Sequence, residues 1–261
     1  MMKAVILAGG LGTRLAEETD VRPKPMVEIG GMPILWHILK LFSAQGVNDF
    51  VICCGYRGYM IKEYFANYHL HSSDVTIDLS SNKTQIHFAK AEPWRISLID
   101  TGHDTNTGGR LKRIAPYIDG GHFFFTYGDG LADVDLNQVL HTFERHDGLA
   151  TVTAVRPPGR FGILDIDRTG NSVSSFHEKP LEEGGWISGG FFCLSSKIFG
   201  HIEGDQTSFE YDLLPKLAST GELTAHRHEG FWRPMDTLRD KLQLEELWRT
   251  DKAPWKLWSN N

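Results

Sequence analysis

Along the first half of the chain, short continuous apolar runs alternate with stretches whose apolar residues recur every three or four positions, the pattern of buried parallel strands joined by helical crossovers. Ala4 to Leu7 is the first such run and reads as a buried strand. Ile34, Leu35, Ile38, Leu39, Leu41 and Phe42 recur at helical spacing, with Pro33 suited to a first helical position and Gly46 to a stop, which predicts a helix covering one sheet face. Phe50 to Cys54 reads as the second strand, Tyr59 to Tyr68 as a further helix, and Val75 to Leu79, Ile86 to Ala89 and Ile96 to Asp100 as strand-like runs. Leu111 to Ile118 reads as a short helix before another continuous apolar strand, Phe123 to Tyr127.

The second half carries more strand. After a helix predicted over Leu136 to Arg145, capped by Asp135, come strand runs at Ala150 to Val155, Phe161 to Ile166, Val173 to Phe176 and Gly190 to Leu194, then helices over Phe209 to Thr220 and Thr237 to Trp248. Internal repeats and low-complexity tracts are absent from the sequence. The expectation is one α/β domain over residues 1–261: a Rossmann-like mixed, mainly parallel sheet flanked by helices, with a smaller β-rich portion.

Composition narrows the class. A chain of 261 residues, 41% hydrophobic and 23% charged, supports one sizeable core. No run approaches the apolar length of a membrane span. A net charge of −6 leaves no overall basic footprint for a nucleic acid polymer. Cys53, Cys54 and Cys193 give neither a disulfide framework nor metal-ligand spacing, and fit a reducing, cytoplasmic compartment. Met1 to Ala8 has too short an apolar segment for a signal peptide and runs straight into Gly9, so it belongs to the first strand.

That strand ends in Leu7-Ala-Gly-Gly-Leu-Gly-Thr-Arg-Leu15, a glycine-rich turn at a strand's carboxyl end, where open α/β sheets place ligands. Backbone N–H groups around Gly9, Gly10 and Gly12 can turn towards a polyanion there. A dinucleotide fingerprint would need glycine where Leu15 stands, and a Walker loop needs a Gly-Lys pair that the sequence lacks. On glycines alone the segment reads equally as a plain βα turn, but Thr13 and Arg14 add a hydroxyl and a forked cation and favour a phosphate cradle. Lys24, stiffened between prolines in Arg22-Pro-Lys-Pro-Met26, reads as a charge clamp on a solvent-facing loop.

Gly10-Leu-Gly-Thr-Arg-Leu15 followed by Lys24-Pro25 resembles the signature of sugar-1-phosphate nucleotidyltransferases, which make nucleotide sugars and pyrophosphate. Tyr127-Gly-Asp-Gly130, Phe176-His-Glu-Lys-Pro180, Gly189-Gly190 and Asp236 extend the resemblance over nearly the whole chain. Cys53-Cys-Gly-Tyr56, Thr107-Gly-Gly-Arg-Leu-Lys112, Pro157-Pro-Gly-Arg-Phe-Gly162 and Ala253-Pro-Trp-Lys256 are similar to the branch that joins CTP to glucose 1-phosphate. Many thymidine- and uridine-using relatives carry a proline shortly after Gly-Thr-Arg, where this chain has Ala16-Glu-Glu-Thr19. The resemblance implies a nucleotide-diphospho-sugar transferase fold, with a nucleotide-binding part over roughly residues 1–130, a sugar-binding and closing part over roughly 131–261, and no appended β-helix after Trp258.

It also implies in-line attack of the sugar phosphate on the α-phosphorus of CTP, with Mg²⁺ as cofactor. A phosphate monoester with a second pKa of about 6 is already largely ionised at pH 7, so none of the histidines is expected to act as a base. His69, His71, His226 and His228 have short spacings but lack a third partner for a metal. The resemblance assigns Leu7, Ala8, Gly9, Gly10, Gly12, Thr13, Arg14, Thr105, Arg110 and Gly128 to the nucleotide, and Lys24 and Arg14 to catalysis. Lys24, Glu178, Lys179, Gly189 and Gly190 are assigned to the sugar phosphate, and Asp129 and Asp236 to Mg²⁺. A turn aspartate and an N-cap are the plain alternatives for those two carboxylates. Tyr56, Tyr59, Tyr64 and Tyr68 read as helix packing or a subunit contact, and Trp255 and Trp258 as a tail docked on its own domain or a neighbour, so a homo-oligomer is expected. Rival readings are the same chemistry with UTP, dTTP, GTP or another hexose 1-phosphate, and a noncatalytic nucleotide-sugar-binding homologue.

Overall fold

Both halves of the chain feed one eight-stranded sheet: β1 (Lys3–Ala8), β2 (Asp49–Cys54), β3 (Arg95–Asp100), β4 (His122–Tyr127), β5 (Ala150–Val155), β6 (Ile187–Ser188), β7 (Phe192–Ser195) and β8 (Leu223–His228). The structure is a computed structural model and describes residues 2–10, 12–89, 92–157, 163–166, 173–177 and 185–259. β3, β2, β1 and β4 lie parallel in that order, with Leu7 opposite both Cys53 and Tyr127. β7 pairs antiparallel with β4, and β5 pairs antiparallel with β6 and β7 on one side and parallel with β8 on the other. β6 and β7 are thus one interrupted strand running against all the others. The order 3-2-1-4 reverses its winding beside β1, so the crevice at the carboxyl ends of β1 and β4 is where this architecture binds ligands.

Strand alternation sorts the core into two layers. Ala4, Ile6, Phe50 and Ile52 face α1 (Ile34–Ser43), α4 (Leu136–Glu144) and α6 (Leu238–Arg249), while Val5, Leu7, Val51 and Phe125 face α3 (Thr107–Arg113) and α5 (Leu214–Ser219). Pro33 caps α1 rather than opening it, and Asp135 caps α4 by accepting the N–H groups of Asn137 and Gln138. The helix predicted over Tyr59 to Tyr68 divides at Asn67 into α2 (Gly58–Ala66) and the turn Tyr68–Ser72. Ser73–Asp78 and Lys83–Ala89 form a hairpin apart from the main sheet. Of the strand predicted from Phe161, Ile163–Ile166 is seen, and Phe161 lies outside the described residues. Among the described residues no helix is long and apolar enough to cross a membrane.

The tail docks on its own domain. Trp255 is fully buried between Trp248 and Phe231, and Trp258 meets Trp36 edge-on. This cage surrounds His37, whose Nε2–H donates to the Ile29 carbonyl (2.8 Å) and whose Nδ1 accepts from the Trp255 indole (3.3 Å). Tyr64 and Tyr68 pack around Phe65 beside this region, away from the crevice.

Candidate active site

From Ala8 the chain leaves β1, passes Gly9 and Gly10, and turns at Gly12 into the single 3₁₀ turn Thr13–Leu15. The Leu15 N–H donates to the Gly12 carbonyl (3.0 Å), and the buried Thr19 hydroxyl donates to the carbonyls of Gly12 (3.1 Å) and Leu15 (3.0 Å), so the loop is pinned from beneath. Arg110 supports it from the other side. The Arg110 guanidinium is buried and donates to Thr101 Oγ1 (2.9 Å) and to the carbonyls of Gly102 (2.7 Å) and His103 (3.0 Å). Burial pushes it below the usual arginine range, and among the described residues no carboxylate pairs with it. Glycine at position 9 makes room for this guanidinium, because a Cβ there would strike it, with Cζ only 2.6 Å away.

Lys24 is not on a solvent-facing loop, as its sequence context suggests. It is 9% exposed, because the turn Lys24–Met26 and its prolines tuck under the site and two carboxylates satisfy the ammonium. Nζ donates to Asp129 Oδ2 (2.6 Å) and Asp236 Oδ1 (2.7 Å). Burial alone would lower its pKa, but the two aspartates outweigh that and hold it above the usual lysine value.

A short antiparallel ladder brings these distant aspartates together. Gly130–Ala132 pairs with Trp232–Pro234, Pro234 stands opposite Gly130, and the Met235 N–H donates to the Asp129 carbonyl (2.8 Å). Thr237, not Asp236, caps α6, through a capping box with Asp240, which leaves the Asp236 carboxylate for Lys24. Two carboxylates converging from separate elements suit Mg²⁺, which takes one or two of them and completes its shell with substrate oxygens and water.

Leu7, Ala8, Gly9, Gly10, Gly12, Thr13, Lys24, Thr105, Arg110, Gly128 and Asp129 all line one cavity of about 360 Å³, and Asp236 joins it through Lys24. Gly189 and Gly190 reach the same edge because β6–β7 runs against its neighbours. Gly190 has a left-handed φ of 73°, and a Cβ there would sit 3.2 Å from the Tyr127 ring. The backbone of Arg14 belongs to the 3₁₀ turn while its side chain lies outside the described part, and Glu178 and Lys179 lie outside the described residues. Sequence reasoning missed Asn106, Thr107 and Tyr127 as cavity walls, and Glu210 behind them. His226 and His228 lie on β8 beside Thr142 and Phe231, apart from this cavity.

A sheet that reverses its winding at β1, a pinned glycine loop at that point and a lysine clamped by two aspartates thus meet at one crevice. The chain belongs to the nucleotidyl transferase family, whose model matches residues 3–247. It is 58% identical over 258 residues to the glucose-1-phosphate cytidylyltransferase of Salmonella typhimurium, covering 98% of this chain and 100% of that protein. The enzyme of the same name from Salmonella typhi is 57% identical over the same shares. Among solved structures, HddC from Yersinia pseudotuberculosis complexed with GMP-PN superposes with a TM-score of 0.70 at 28% identity, covering 95% of this chain and 100% of that one.

Proposed function

We propose that this protein transfers CMP from CTP to α-D-glucose 1-phosphate, releasing pyrophosphate and forming CDP-glucose. The full-length match to cytidylyltransferases carries this reading. The backbone around Gly9, Gly10 and Gly12, with Thr13 and Arg14, holds the triphosphate, and Leu7, Ala8, Thr105, Arg110 and Gly128 shape the nucleotide's seat. Asp129 and Asp236 hold Mg²⁺, which when bound neutralises phosphate charge. Lys24 neutralises charge on the transferring phosphoryl group, while Glu178, Lys179, Gly189 and Gly190 seat the sugar phosphate. The nucleophile is already ionised at neutral pH, so alignment and charge neutralisation suffice and no general base is needed.

Residues 1–130 thus serve mainly the nucleotide and residues 131–261 mainly the sugar and closure. Buried free cysteines suit a cytoplasmic setting, and the exposed Ile77, Leu79 and Ile86 of the 73–89 hairpin suit a homo-oligomer. Incubation with CTP, glucose 1-phosphate and Mg²⁺ tests the reading by mass spectrometry. Equimolar CDP-glucose and pyrophosphate are expected, with neither formed when one substrate is omitted; binding of both substrates without turnover points instead to a noncatalytic homologue.

A further inference from the structure

Glu210 stands behind the cavity, touches both of its walls, and has no part in the chemistry above. Its carboxylate accepts three hydroxyl donors: Tyr127 on Oε1 (2.6 Å), and Thr107 (2.5 Å) and Ser208 (3.1 Å) on Oε2. Tyr127 ends β4 and Thr107 opens α3, and both line the cavity. Among the described residues no lysine or arginine pairs with Glu210, so neutral hydroxyls alone hold the charge.

A carboxylate offers only acceptors, which sets the direction of these bonds. Thr107 Oγ1 also accepts the Phe209 N–H (2.9 Å) and Ser208 Oγ accepts the Tyr211 N–H (3.1 Å), so both hydroxyls are held in place while they donate to the carboxylate. The Tyr127 hydroxyl, 2.6 Å from Oε1, donates as well. Both oxygens of Glu210 accept, whereas a glutamine amide would set a donor NH₂ in place of one of them. The backbone is built for this contact. Phe209–Leu213 is a π-helical turn, closed by the Leu213 N–H donating to the Ser208 carbonyl five residues back (3.2 Å), a rare widening that is frequent at functional sites.

With its proton committed to Glu210, the Tyr127 oxygen has only acceptor capacity left. Its ring packs against Gly190, at the junction between the nucleotide loop and the β6–β7 edge. We propose that Glu210 is a positioning residue that makes Tyr127 an obligatory hydrogen-bond acceptor for a substrate hydroxyl, on the ribose or the hexose, and so helps the site select its substrates. This rests on the reading that CTP and glucose 1-phosphate meet in this cavity.

The test uses full-length Tyr127→Phe and Glu210→Gln. kcat/KM is measured by pyrophosphate release for CTP against 2′-deoxy- and 3′-deoxy-CTP, and for glucose 1-phosphate against its 2-, 3-, 4- and 6-deoxy analogues. In the wild type, one deoxy analogue is expected to be disfavoured by about tenfold through loss of this bond. In both variants that discrimination shrinks to about threefold or less while the others stay unchanged, and the analogue affected assigns the bond to ribose or hexose. Tyr127→Phe removes one oxygen and keeps the ring, so it carries the test alone if Glu210→Gln fails to fold. Discrimination unchanged at every position in Tyr127→Phe overturns the proposal, whereas a wild type inactive with CTP and glucose 1-phosphate overturns the reading beneath it.

Discussion

Replacing Lys24 by alanine removes the cation that Asp129 and Asp236 share. The Lys24 side chain is 11% exposed, while its partners are 30% and 18% exposed. Breaking a fully buried pair costs about 3–5 kcal/mol, and the water that reaches these carboxylates reduces this to about 1–3 kcal/mol. At about 2–4 °C per kcal/mol for a domain of this size, the melting temperature falls by about 2–12 °C, and the protein stays folded at 25 °C. Losing a preorganised charge where the transition state needs it lowers kcat by about 10²–10³, or about 3–4 kcal/mol. Lys24→Arg keeps the charge but exchanges a point cation for a planar fork, and restores less than about tenfold of the loss. Steady-state pyrophosphate release at saturating CTP and glucose 1-phosphate measures the rate, and differential scanning fluorimetry the stability. A folded Lys24→Ala enzyme with kcat within about threefold of wild type refutes the role given to this lysine.

Burial pushes His37 down to about 4, against 6.5 for the free side chain, so between those values the unfolded chain takes up a proton that the folded chain refuses. Stability is therefore steady above pH 6.5 and falls by about 3 kcal/mol as pH drops towards 4; denaturant melts across this range should show the slope in wild type and lose His37's share of it in His37→Gln. Gly9→Ala drives a Cβ into the Arg110 guanidinium and should cost about 1–3 kcal/mol, whereas Gly10→Ala, with no atom of the described residues within 4 Å of the added Cβ, should melt like wild type. Asp129→Asn and Asp236→Asn should each weaken Mn²⁺ binding in the presence of CTP by about tenfold or more, read by electron paramagnetic resonance.

The parts legible in sequence were those that local chemistry dictates. β1, β2 and β4 are continuous apolar runs, α1 shows its buried stripe, and Asp135 announces α4. β8 escaped notice because Leu-Thr-Ala-His-Arg-His has no apolar alternation, and its pairing along all of β5 supplies the order instead. α3 opens with Thr-Gly-Gly, poor helix formers, so only its later part was visible; the Asn106 and Gly109 N–H groups, bonded to the carbonyls of Asp205 and Thr207, help hold that end. The motifs named Lys24, Asp129 and Asp236, but not that the three meet, since a short ladder between Gly130–Ala132 and Trp232–Pro234 makes that contact. Glu210 reads in sequence as an ordinary acidic residue in a first helical turn, and its partners come from elements far along the chain.

Pyrophosphate release with glucose 1-phosphate and Mg²⁺, measured separately with CTP, UTP, dTTP, GTP and ATP and repeated with EDTA, bears most directly on what this cavity does. CTP is expected to exceed every other nucleotide in kcat/KM by about 100-fold or more, with EDTA abolishing release. Faster release with another nucleotide contradicts the assignment to CTP, and no release with any of them contradicts nucleotidyl transfer to glucose 1-phosphate.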